Sequence, residues 1–289
     1  MTNDEQKKAH RSIRTRPERS RLRWTLVPIA TVVVVVATLV AIALGSGPRS
    51  PGASLITAGA KSAPGTGATP VPAAIESAAT SVSASTLSAV GVPPGLASPT
   101  RVGGQQPTLA GADGKPEVLY VGAEYCPFCA AERWALVVAL SHFGQFGTLS
   151  ATHSSSTDIY PDTPTFSFYG STYSSPRLDF QTVELQTNQA VGGSYPTLQK
   201  LTAPQQAVLG AYDRAPYSSM PGSIPFVDIG NRFVLVGAGF DPAVLQGKSM
   251  GQIAEALSHP SSVIARAVDG SANLLISAIV SATGLQPDR

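Results

Sequence analysis

Cysteine is nearly absent from the chain. Its 289 residues include only two cysteines, Cys126 and Cys129, which are separated by two residues. So short a loop constrains the unfolded chain very little, and the sequence therefore excludes a disulfide framework that holds the fold together. A structural zinc site needs four ligands, and the four histidines show no paired spacing that would complete one with this motif. We therefore expect no metal and no cofactor.

Charged residues are also scarce, at 13 %, and the positive ones are concentrated at the N-terminus. Residues 1–23 hold eight Lys or Arg against three Asp or Glu, whereas the rest of the chain holds twelve against fifteen. A nucleic-acid-binding domain carries its positive charge on a folded face, but here the folded part would be net acidic. The composition therefore argues against nucleic-acid binding.

Residues 24–44 begin with Trp24 and continue as an uncharged, mostly apolar run. About 20 such residues, at about 1.5 Å each, match the hydrocarbon thickness of a bilayer. Because Lys and Arg precede the run, the positive-inside rule predicts a cytoplasmic tail at residues 1–23, a single transmembrane helix and an extracytoplasmic remainder. A cleaved signal peptide is the alternative, since Ala41-Ile-Ala43 resembles a cleavage site. Both interpretations place the remainder where disulfides persist.

The rest of the chain divides into a linker and a folded domain. Residues 45–107 are rich in Gly, Pro, Ala, Ser and Thr, which predicts a flexible tether with one short helix at 83–91. Residues 108–289 alternate strand and helix patterns, which indicates an α/β domain. Within it, Leu149 to His153 is predicted to be the second strand, and Gly230-Asn231 is typical of a tight hairpin turn.

The chemistry of the chain centres on the end of one predicted strand. Val118 to Val121 is an apolar run typical of a buried strand, and it ends at Gly122. Cys126-Pro-Phe-Cys129 follows, and the residues after it have the apolar spacing of a helix. A cysteine at a helix start faces unpaired N–H groups and the positive end of the helix dipole, which favour the thiolate. The thiolate is the nucleophile in disulfide exchange.

The order of the elements resembles the thioredoxin fold: strand, Cys-x-x-Cys, helix, strand, inserted segment, helix, hairpin and helix. Ala123-Glu-Tyr-Cys126 is similar to the Ala-Glu-Trp-Cys of thioredoxins, and Cys126-Pro-Phe-Cys129 to the Cys-Pro-Tyr-Cys of glutaredoxins. Ile224-Pro225 occupies the place of the cis-proline that faces the cysteines in that fold. The resemblance implies a thioredoxin-like domain with an insertion after its second strand.

A narrower resemblance is to a family of membrane-anchored prokaryotic thioredoxin-like proteins of unknown function. It is carried by Val121 to Trp134, His153 to Asp158, Gly222 to Phe226 and Leu245 to Ser249, and it covers about residues 85–284. That family has no assigned reaction. The resemblance therefore identifies a type of domain and leaves the activity to be argued from the residues.

The motif assigns roles to the two cysteines and to the residues around them. Cys126 is predicted to be the attacking thiolate, and Cys129 is predicted to resolve the mixed disulfide that Cys126 forms. Ile224 is expected to present backbone groups to an extended substrate segment. The predicted substrate-binding residues are Tyr125, Phe128, Ile224 and Pro225.

One position departs from the thioredoxin pattern. Thioredoxins carry a buried acid six residues before the first cysteine, and that acid assists proton transfer to the resolving cysteine. Tyr120 stands there in this chain, and a tyrosine pKa of about 10 prevents the same role at neutral pH. Glu124 and Glu132 are the candidate substitutes.

The sequence leaves three functions open. The first is a membrane-anchored oxidoreductase that exchanges disulfides with extracytoplasmic proteins and with a redox partner in the membrane. The second is a non-catalytic module that holds a partner in the groove beside Cys126. The third is a copper(I) metallochaperone, although Met1, Met220 and Met250 are too few for a Met-rich site.

Three further polar features are interpreted as structural. His153 is expected to be hydrogen-bonded at a strand end, and Ser249 to cap a helix. Asp228 and Arg232 are expected to form a solvated pair beside the predicted hairpin.

Overall fold

The computed structural model describes residues 67–288, which form a mixed α/β protein. The predicted tail at 1–23, the predicted transmembrane helix at 24–44 and residues 45–66 of the predicted tether lie outside the described residues.

Two sheets organise the described part of the chain. Its strands are β1 (Thr69–Pro70), β2 (Thr100–Arg101), β3 (Glu117–Gly122), β4 (Gln145–His153), β5 (Pro164–Ser174), β6 (Asp179–Glu184), β7 (Phe226–Ile229) and β8 (Phe233–Val236). The larger sheet has the order β2-β8-β7-β3-β6, and the smaller sheet has the order β1-β4-β5. In the larger sheet β3 is parallel to β6 and antiparallel to β7, and β7 is antiparallel to β8.

Helices connect and cover these strands. They are α1 (Ala73–Thr80), α2 (Ala84–Val90), α3 (Pro127–Leu140), α4 (Ala203–Tyr212), α5 (Met250–Leu257) and α6 (Val263–Thr283), with a short 3-10 helix at Pro242–Leu245. Helices α5 and α6 each begin after a serine N-cap. The side chains of Ser249 and Ser262 accept hydrogen bonds from backbone N–H groups in the first turns of α5 and α6. Gly284, with a φ of 73°, ends α6 in the left-handed conformation that glycine adopts most readily.

Strand β3 is buried on both faces, which explains its uninterrupted apolar sequence. Val118 and Tyr120 face the main core, which includes residues of α3 and α6. Leu119 and Val121 face a second cluster that includes residues of α4. The end of β3 therefore lies between two packed layers, and the Cys126 turn starts from a fixed position.

The strand that pairs in parallel with β3 lies elsewhere than predicted. Leu149 to His153 belongs to β4, which pairs with β5 in the smaller sheet, whereas the parallel neighbour of β3 is β6. The parallel neighbour of β3 therefore comes after β4 and β5 in the chain, and the prediction that Leu149 to His153 is the second strand of this sheet, with an insertion after it, was wrong. Alternating apolar and polar residues indicate a strand but do not identify the strand with which it pairs. The pattern at 149–153 therefore predicted a strand correctly and assigned it to the wrong sheet.

The chain before residue 108 also differs from the predicted linker. Strands β1 and β2 and helices α1 and α2 all fall within 45–107, and α2 lies where one short helix was expected. Ala79 and Leu87 are buried in the main core. The side-chain N–H groups of Asn273 in α6 donate to the carbonyls of Leu87 and Gly91 at 2.9 and 2.7 Å. A composition of small residues suits a tether and a short helix equally, and tertiary contacts decide between them.

Asp228 and Arg232 do not form the expected solvated pair. Asp228 is fully buried in β7 and accepts the Asn231 N–H at 2.7 Å. Arg232 instead donates to the Gln106 carbonyl and to Thr108 Oγ1. Because β7 is an inner strand with packing on both faces, a polar residue in it is buried whichever way it points.

Helix α6 is the one described helix that is long and apolar enough to cross a membrane by length and composition. In the structure 61 % of its most apolar stretch is buried. Val268, Ala272, Leu275 and Ile279 repeat at helical spacing and belong to the main core. These contacts are those of a core helix.

Candidate functional site

Cys126 lies at the N-terminus of α3 and serves as its N-cap. Its Sγ accepts the Cys129 backbone N–H at 3.4 Å, and Pro127 stands at the first helical position, where a missing N–H has little effect. The pKa of Cys126 is lowered, mainly by a hydrogen bond with the Cys129 thiol. Backbone N–H groups and the Arg133 guanidinium lower it further, while burial opposes them. Cys126 retains 6 % exposure and is the sulfur that an incoming group meets.

Cys129 is fully buried, and neither cysteine forms a disulfide in this structure. Burial raises the pKa of Cys129 well above its ordinary value, and the hydrogen bond with Cys126 adds to the rise. The two sulfurs therefore differ in the direction required for sequential exchange. One is disposed to be a thiolate near the surface, and the other is a thiol held in reserve beneath it.

Gly122 and Tyr120 surround the buried sulfur. A Cβ at Gly122 would lie 3.0 Å from Cys129 Sγ and would overlap the Tyr120 hydroxyl, so only glycine fits. Tyr120 is fully buried, and burial raises its pKa well above its usual value. Its hydroxyl has no hydrogen-bond partner among residues 67–288. Tyr120 is therefore a neutral phenol close to Cys129.

Two buried glutamates share one arginine next to this pocket. Arg133 Nη1 lies 2.8 Å from Glu184 Oε1 and 3.4 Å from Glu124 Oε2, and all three side chains are fully buried. The Ser167 hydroxyl also donates to Glu124 Oε1, at 2.5 Å. Burial raises the pKa of Glu184 to about 8, because one guanidinium compensates two sealed carboxylates incompletely. Both Arg133 and Glu184 act electrostatically on Cys129, the first lowering its pKa and the second raising it.

The two glutamates proposed from the sequence for proton transfer occupy different places. Glu124 belongs to the Arg133 cluster just described. Glu132 instead accepts the Gly239 N–H at 2.8 Å, and burial raises its pKa to about 8. Glu132 thus positions the loop after β8 through this hydrogen bond. The structure brings Glu124 into the cluster that acts on Cys129 and does not bring Glu132 there.

Ile224 and Pro225 lie beside Cys126 although they follow it by about a hundred residues. The Ile224–Pro225 peptide bond is cis, and the Cys126 thiol donates to the Ile224 carbonyl over 3.9 Å. Pro225 is held in turn, because its carbonyl accepts the Gly237 N–H at 2.8 Å. The predicted approach of this proline-led hairpin to the cysteines is therefore present in the geometry.

Tyr125 is fixed by the segments that follow β4 and β6. Its ring stacks on Tyr195, with centroids 4.3 Å apart and planes 6° apart. Its carbonyl accepts the Ser155 N–H at 2.8 Å, and the Tyr195 hydroxyl donates to Ser155 Oγ at 2.7 Å. The polar Ser154–Asp158 loop thus supports the Cys126 turn, which is a structural role.

Phe128 points outward between the two cysteines and is 39 % exposed. Tyr160, from the loop after β4, meets it edge to face with ring centroids 6.1 Å apart. The structural roles predicted for His153 and Ser249 are also present in the structure. His153 Nδ1 lies 2.7 Å from the Ser154 carbonyl at the end of β4, and Ser249 forms a capping box with Gln252.

Within the described residues, no group of three or more His, Cys, Asp or Glu side chains is arranged to hold a metal ion. The sulfur pair is the only described site with thiol donors. The geometry supports two-thiol chemistry at this position and supplies donors for no larger ligand set.

Sequence reasoning missed Arg133, Glu184 and Ser167. The burial of Arg133 could have been predicted from the sequence, because its neighbours in the same helix, Ala130, Ala131 and Trp134, are apolar. A charged side chain among them has to be buried with a partner. Glu184 carried none, since its place depends on the parallel pairing that sets it opposite Gly122.

The model of a family described as a domain of unknown function, DUF929, matches residues 105–281, more than half of the chain. No curated protein and no solved structure matches. The matched range contains both cysteines, the Arg133 cluster and the Ile224–Pro225 hairpin. The chain therefore belongs to the DUF929 family.

Proposed function

We propose that the chain is a thiol-disulfide oxidoreductase that acts on protein thiols and disulfides through Cys126 and Cys129. One observation carries the proposal: a slightly exposed sulfur with a lowered pKa lies next to a fully buried second sulfur and within 3.9 Å of the Ile224 carbonyl. A substrate segment lying along that carbonyl would bring its own sulfur to Cys126.

The exchange proceeds in two balanced steps. The Cys126 thiolate attacks one sulfur of a substrate disulfide, a bond forms between them, and the other substrate sulfur leaves as a thiolate. Cys129, after losing its proton, then attacks Cys126 Sγ and releases the first substrate sulfur. Two electrons pass to the substrate, and the chain is left with a Cys126–Cys129 disulfide. The same steps in reverse oxidise a substrate dithiol.

The arrangement of the larger sheet supports a thioredoxin-like interpretation of the domain. β3 leads through the Cys126 turn into α3, β6 lies parallel to β3, and α4 leads to the antiparallel hairpin of β7 and β8. This is the order that the resemblance implies, with β4 and β5 inserted between α3 and β6. Ile224 then presents its main chain beside the nucleophile, as expected from the sequence.

Proton transfer at Cys129 is assigned to the Arg133 cluster within the same proposal. Glu184 has one carboxylate oxygen bonded to Arg133, while Oε2 has no hydrogen-bond partner among the described residues. With a pKa raised to about 8, Glu184 accepts or returns a proton near neutral pH. Glu124 is the less suited of the pair, because Ser167 and Arg133 each occupy one of its oxygens.

The membrane anchor at residues 24–44 and a cytoplasmic N-terminus complete the proposal. They rest on the apolar run and on the basic residues before it. An extracytoplasmic site suits the chemistry, since disulfides form and persist there.

Trapping tests the exchange. In cells that express Cys129→Ser, Cys126 should accumulate mixed disulfides that migrate as reducible, higher-mass bands. Cys126→Ser is the matched control and should give none, although Cys129 remains. If Cys129→Ser also gives none in cells that fold and localise it normally, the exchange proposal fails.

The small exposure of Cys126 favours one other function. At 6 % exposed, Cys126 offers little surface to an incoming protein, so a bound segment would have to fit closely beside it, which is also what a non-catalytic binding module would require. Such a module would retain its partner equally well in wild type and in a Cys126→Ser variant, without reducible bands. Co-purification from both variants therefore separates the two functions.

A further inference from the structure

A cavity of about 400 Å³ opens beside the Cys126 turn. One wall is aromatic and consists of Phe128 and Tyr160. Phe128 belongs to the same turn as Cys126 and is 39 % exposed. The carbonyl of Tyr160 accepts hydrogen bonds from the hydroxyls of Ser154 and Thr163, at 3.0 and 2.9 Å. The main chain at Tyr160 is therefore fixed by its own loop.

Most of the other lining residues are small. They are Gly95 and Ala97, which precede β2, and residues 237–239, which follow β8, and Phe240 lies next to them. Gly239 is tied on both sides, because its N–H donates to Glu132 Oε2 and its carbonyl accepts the Ala97 N–H, each at 2.8 Å. A Cβ at Gly239 would overlap Ser271 Oγ, so the backbone packs directly on α6. A pocket with fixed walls binds its ligand without a cost for ordering them.

The rim of the cavity carries a single charge. Asp241 is exposed there and accepts the Ala243 N–H at 2.9 Å, which fixes its carboxylate at the start of the 3-10 helix. The same carboxylate accepts a hydrogen bond from the Tyr160 hydroxyl and so raises the pKa of that tyrosine. Among the described residues that line the cavity there is no Lys, Arg or His. A neutral or positive group is therefore favoured at the rim and a negative one is disfavoured.

We propose that this cavity receives the side chain next to the reacting cysteine of a substrate protein. It selects a large apolar or aromatic side chain, and the Asp241 rim favours a basic over an acidic neighbour. The inference rests on the proposed exchange function and names its substrate class. Phe128, which lines the cavity, lies two residues from Cys126 in the same turn, so a group attached to the sulfur that Cys126 attacks lies close to the cavity. The volume lies within the range of pockets that enclose small ligands or side chains.

Short peptides test this selection on the reduced full chain. Each peptide has one cysteine in a disulfide with nitrothiobenzoate, flanked by Phe, Leu, Gly or Asp. Cys126 attacks the peptide sulfur, nitrothiobenzoate leaves as a coloured thiolate, and Cys129 then releases the peptide thiol. The protein dithiol is oxidised and the peptide disulfide is reduced, so electrons balance. We expect the Phe and Leu peptides to react roughly tenfold faster than the Gly peptide, and the Asp peptide to be slowest.

Variants locate the preference. Phe128→Ala should bring the Phe and Gly peptides to within about twofold of each other, and Tyr160→Ala should act in the same direction from the other loop. Asp241→Asn should remove only the extra penalty of the Asp peptide. Val263→Ala is the control, because Val263 is an exposed apolar residue outside the cavity. Its peptide rates should equal those of the wild type.

Two results overturn the inference in distinguishable ways. Equal rates for all four peptides with the wild type, or a Phe preference that survives in both Phe128→Ala and Tyr160→Ala, would remove the proposed selection and leave exchange intact. No reaction of Cys126 with any of these disulfides would remove the exchange function, and the selection with it.

Discussion

Two sulfurs three positions apart have opposite environments in this chain. Cys126 caps α3 and receives N–H donors, whereas Cys129 is sealed among Gly122, Tyr120 and the Arg133 cluster. Their order and identity follow from the sequence, because a cysteine pair at a strand-to-helix transition has few other uses. The lowered pKa of Cys126 is also expected at a helix start, whereas the effects of Glu184 and Arg133 on the two sulfurs are not, because these charges come from β6 and from the second turn of α3.

Glu184 offers a test at the scale of one side chain. Above about pH 8, where Glu184 is ionised, Glu184→Gln removes a negative charge that raises the pKa of Cys129, and it leaves Arg133 less compensated. Both changes favour the Cys129 thiolate. We expect the pKa of Cys129 to fall by about one unit. The pH dependence of mixed-disulfide resolution, followed after rapid mixing with a disulfide substrate, measures the shift.

Glu255→Gln is the control for that experiment, since Glu255 is an exposed carboxylate on α5. It should leave the pH profile of resolution unchanged. Gln205→Glu in α4 would not serve, because Gln205 is part of a capping box. A Glu184→Gln profile that superimposes on the wild type would contradict the assignment of Glu184.

At the scale of elements, the hairpin of β7 and β8 contains a buried acid, Asp228, whose effect on the pH dependence of stability has a definite direction. The pKa of Asp228 is raised to about 7, mainly by burial. The hydrogen bond from the Asn231 N–H lowers this pKa, and the neighbouring Glu117 adds to the rise. The folded state therefore holds the Asp228 proton more tightly than the unfolded state. This stabilisation is complete below about pH 4 and is lost as the pH rises through about 7.

Asp228→Asn should remove that pH dependence, since asparagine keeps an oxygen for the Asn231 N–H. Relative to wild type, we expect the variant to gain on the order of 2 kcal/mol of unfolding free energy between pH 5 and pH 8. Urea unfolding at the two pH values measures it. A difference between variant and wild type that is the same at both values would show that Asp228 does not titrate in this range.

The contact between α2 and α6 gives a second test at this scale. Asn273→Ala removes both hydrogen bonds to the end of α2, which leaves the Gly91 carbonyl without its donor. We expect a loss of about 1–2 kcal/mol in the free energy of unfolding, and faster amide exchange in α2 than in α3. Ser281→Ala, at an exposed position of α6, is the control and should change neither quantity.

Elements were easier to predict than their partners. The strands, the Cys126 helix and the Gly230-Asn231 hairpin follow from apolar spacing and turn residues, which act locally. The pairing of β3 with β6, separated by α3 and the whole β4–β5 insertion, does not. That pairing also places Glu184 opposite Gly122, so the error in the sheet and the missed site residue have one cause.

At the scale of the whole molecule, the anchored topology remains a prediction from residues 1–44. In intact cells, a membrane-impermeant maleimide should label Cys126 of the wild type, and Cys126→Ser should be left unlabelled because Cys129 is fully buried. Lysed cells give the reference for complete labelling. Label that appears only after lysis would place the domain in the cytoplasm and contradict the positive-inside assignment.

Cys126 is slightly exposed and Cys129 is fully buried, and this difference also affects how the pair responds to peroxide. An oxidant arriving from solvent meets Cys126 first and converts it to a sulfenic acid, which condenses with a neighbouring thiol to a disulfide and water. Cys129 lies directly beneath as that neighbour. We therefore expect this disulfide to hold the oxidised sulfur in a reversible form, and we expect loss of Cys129 to leave Cys126 open to irreversible oxidation.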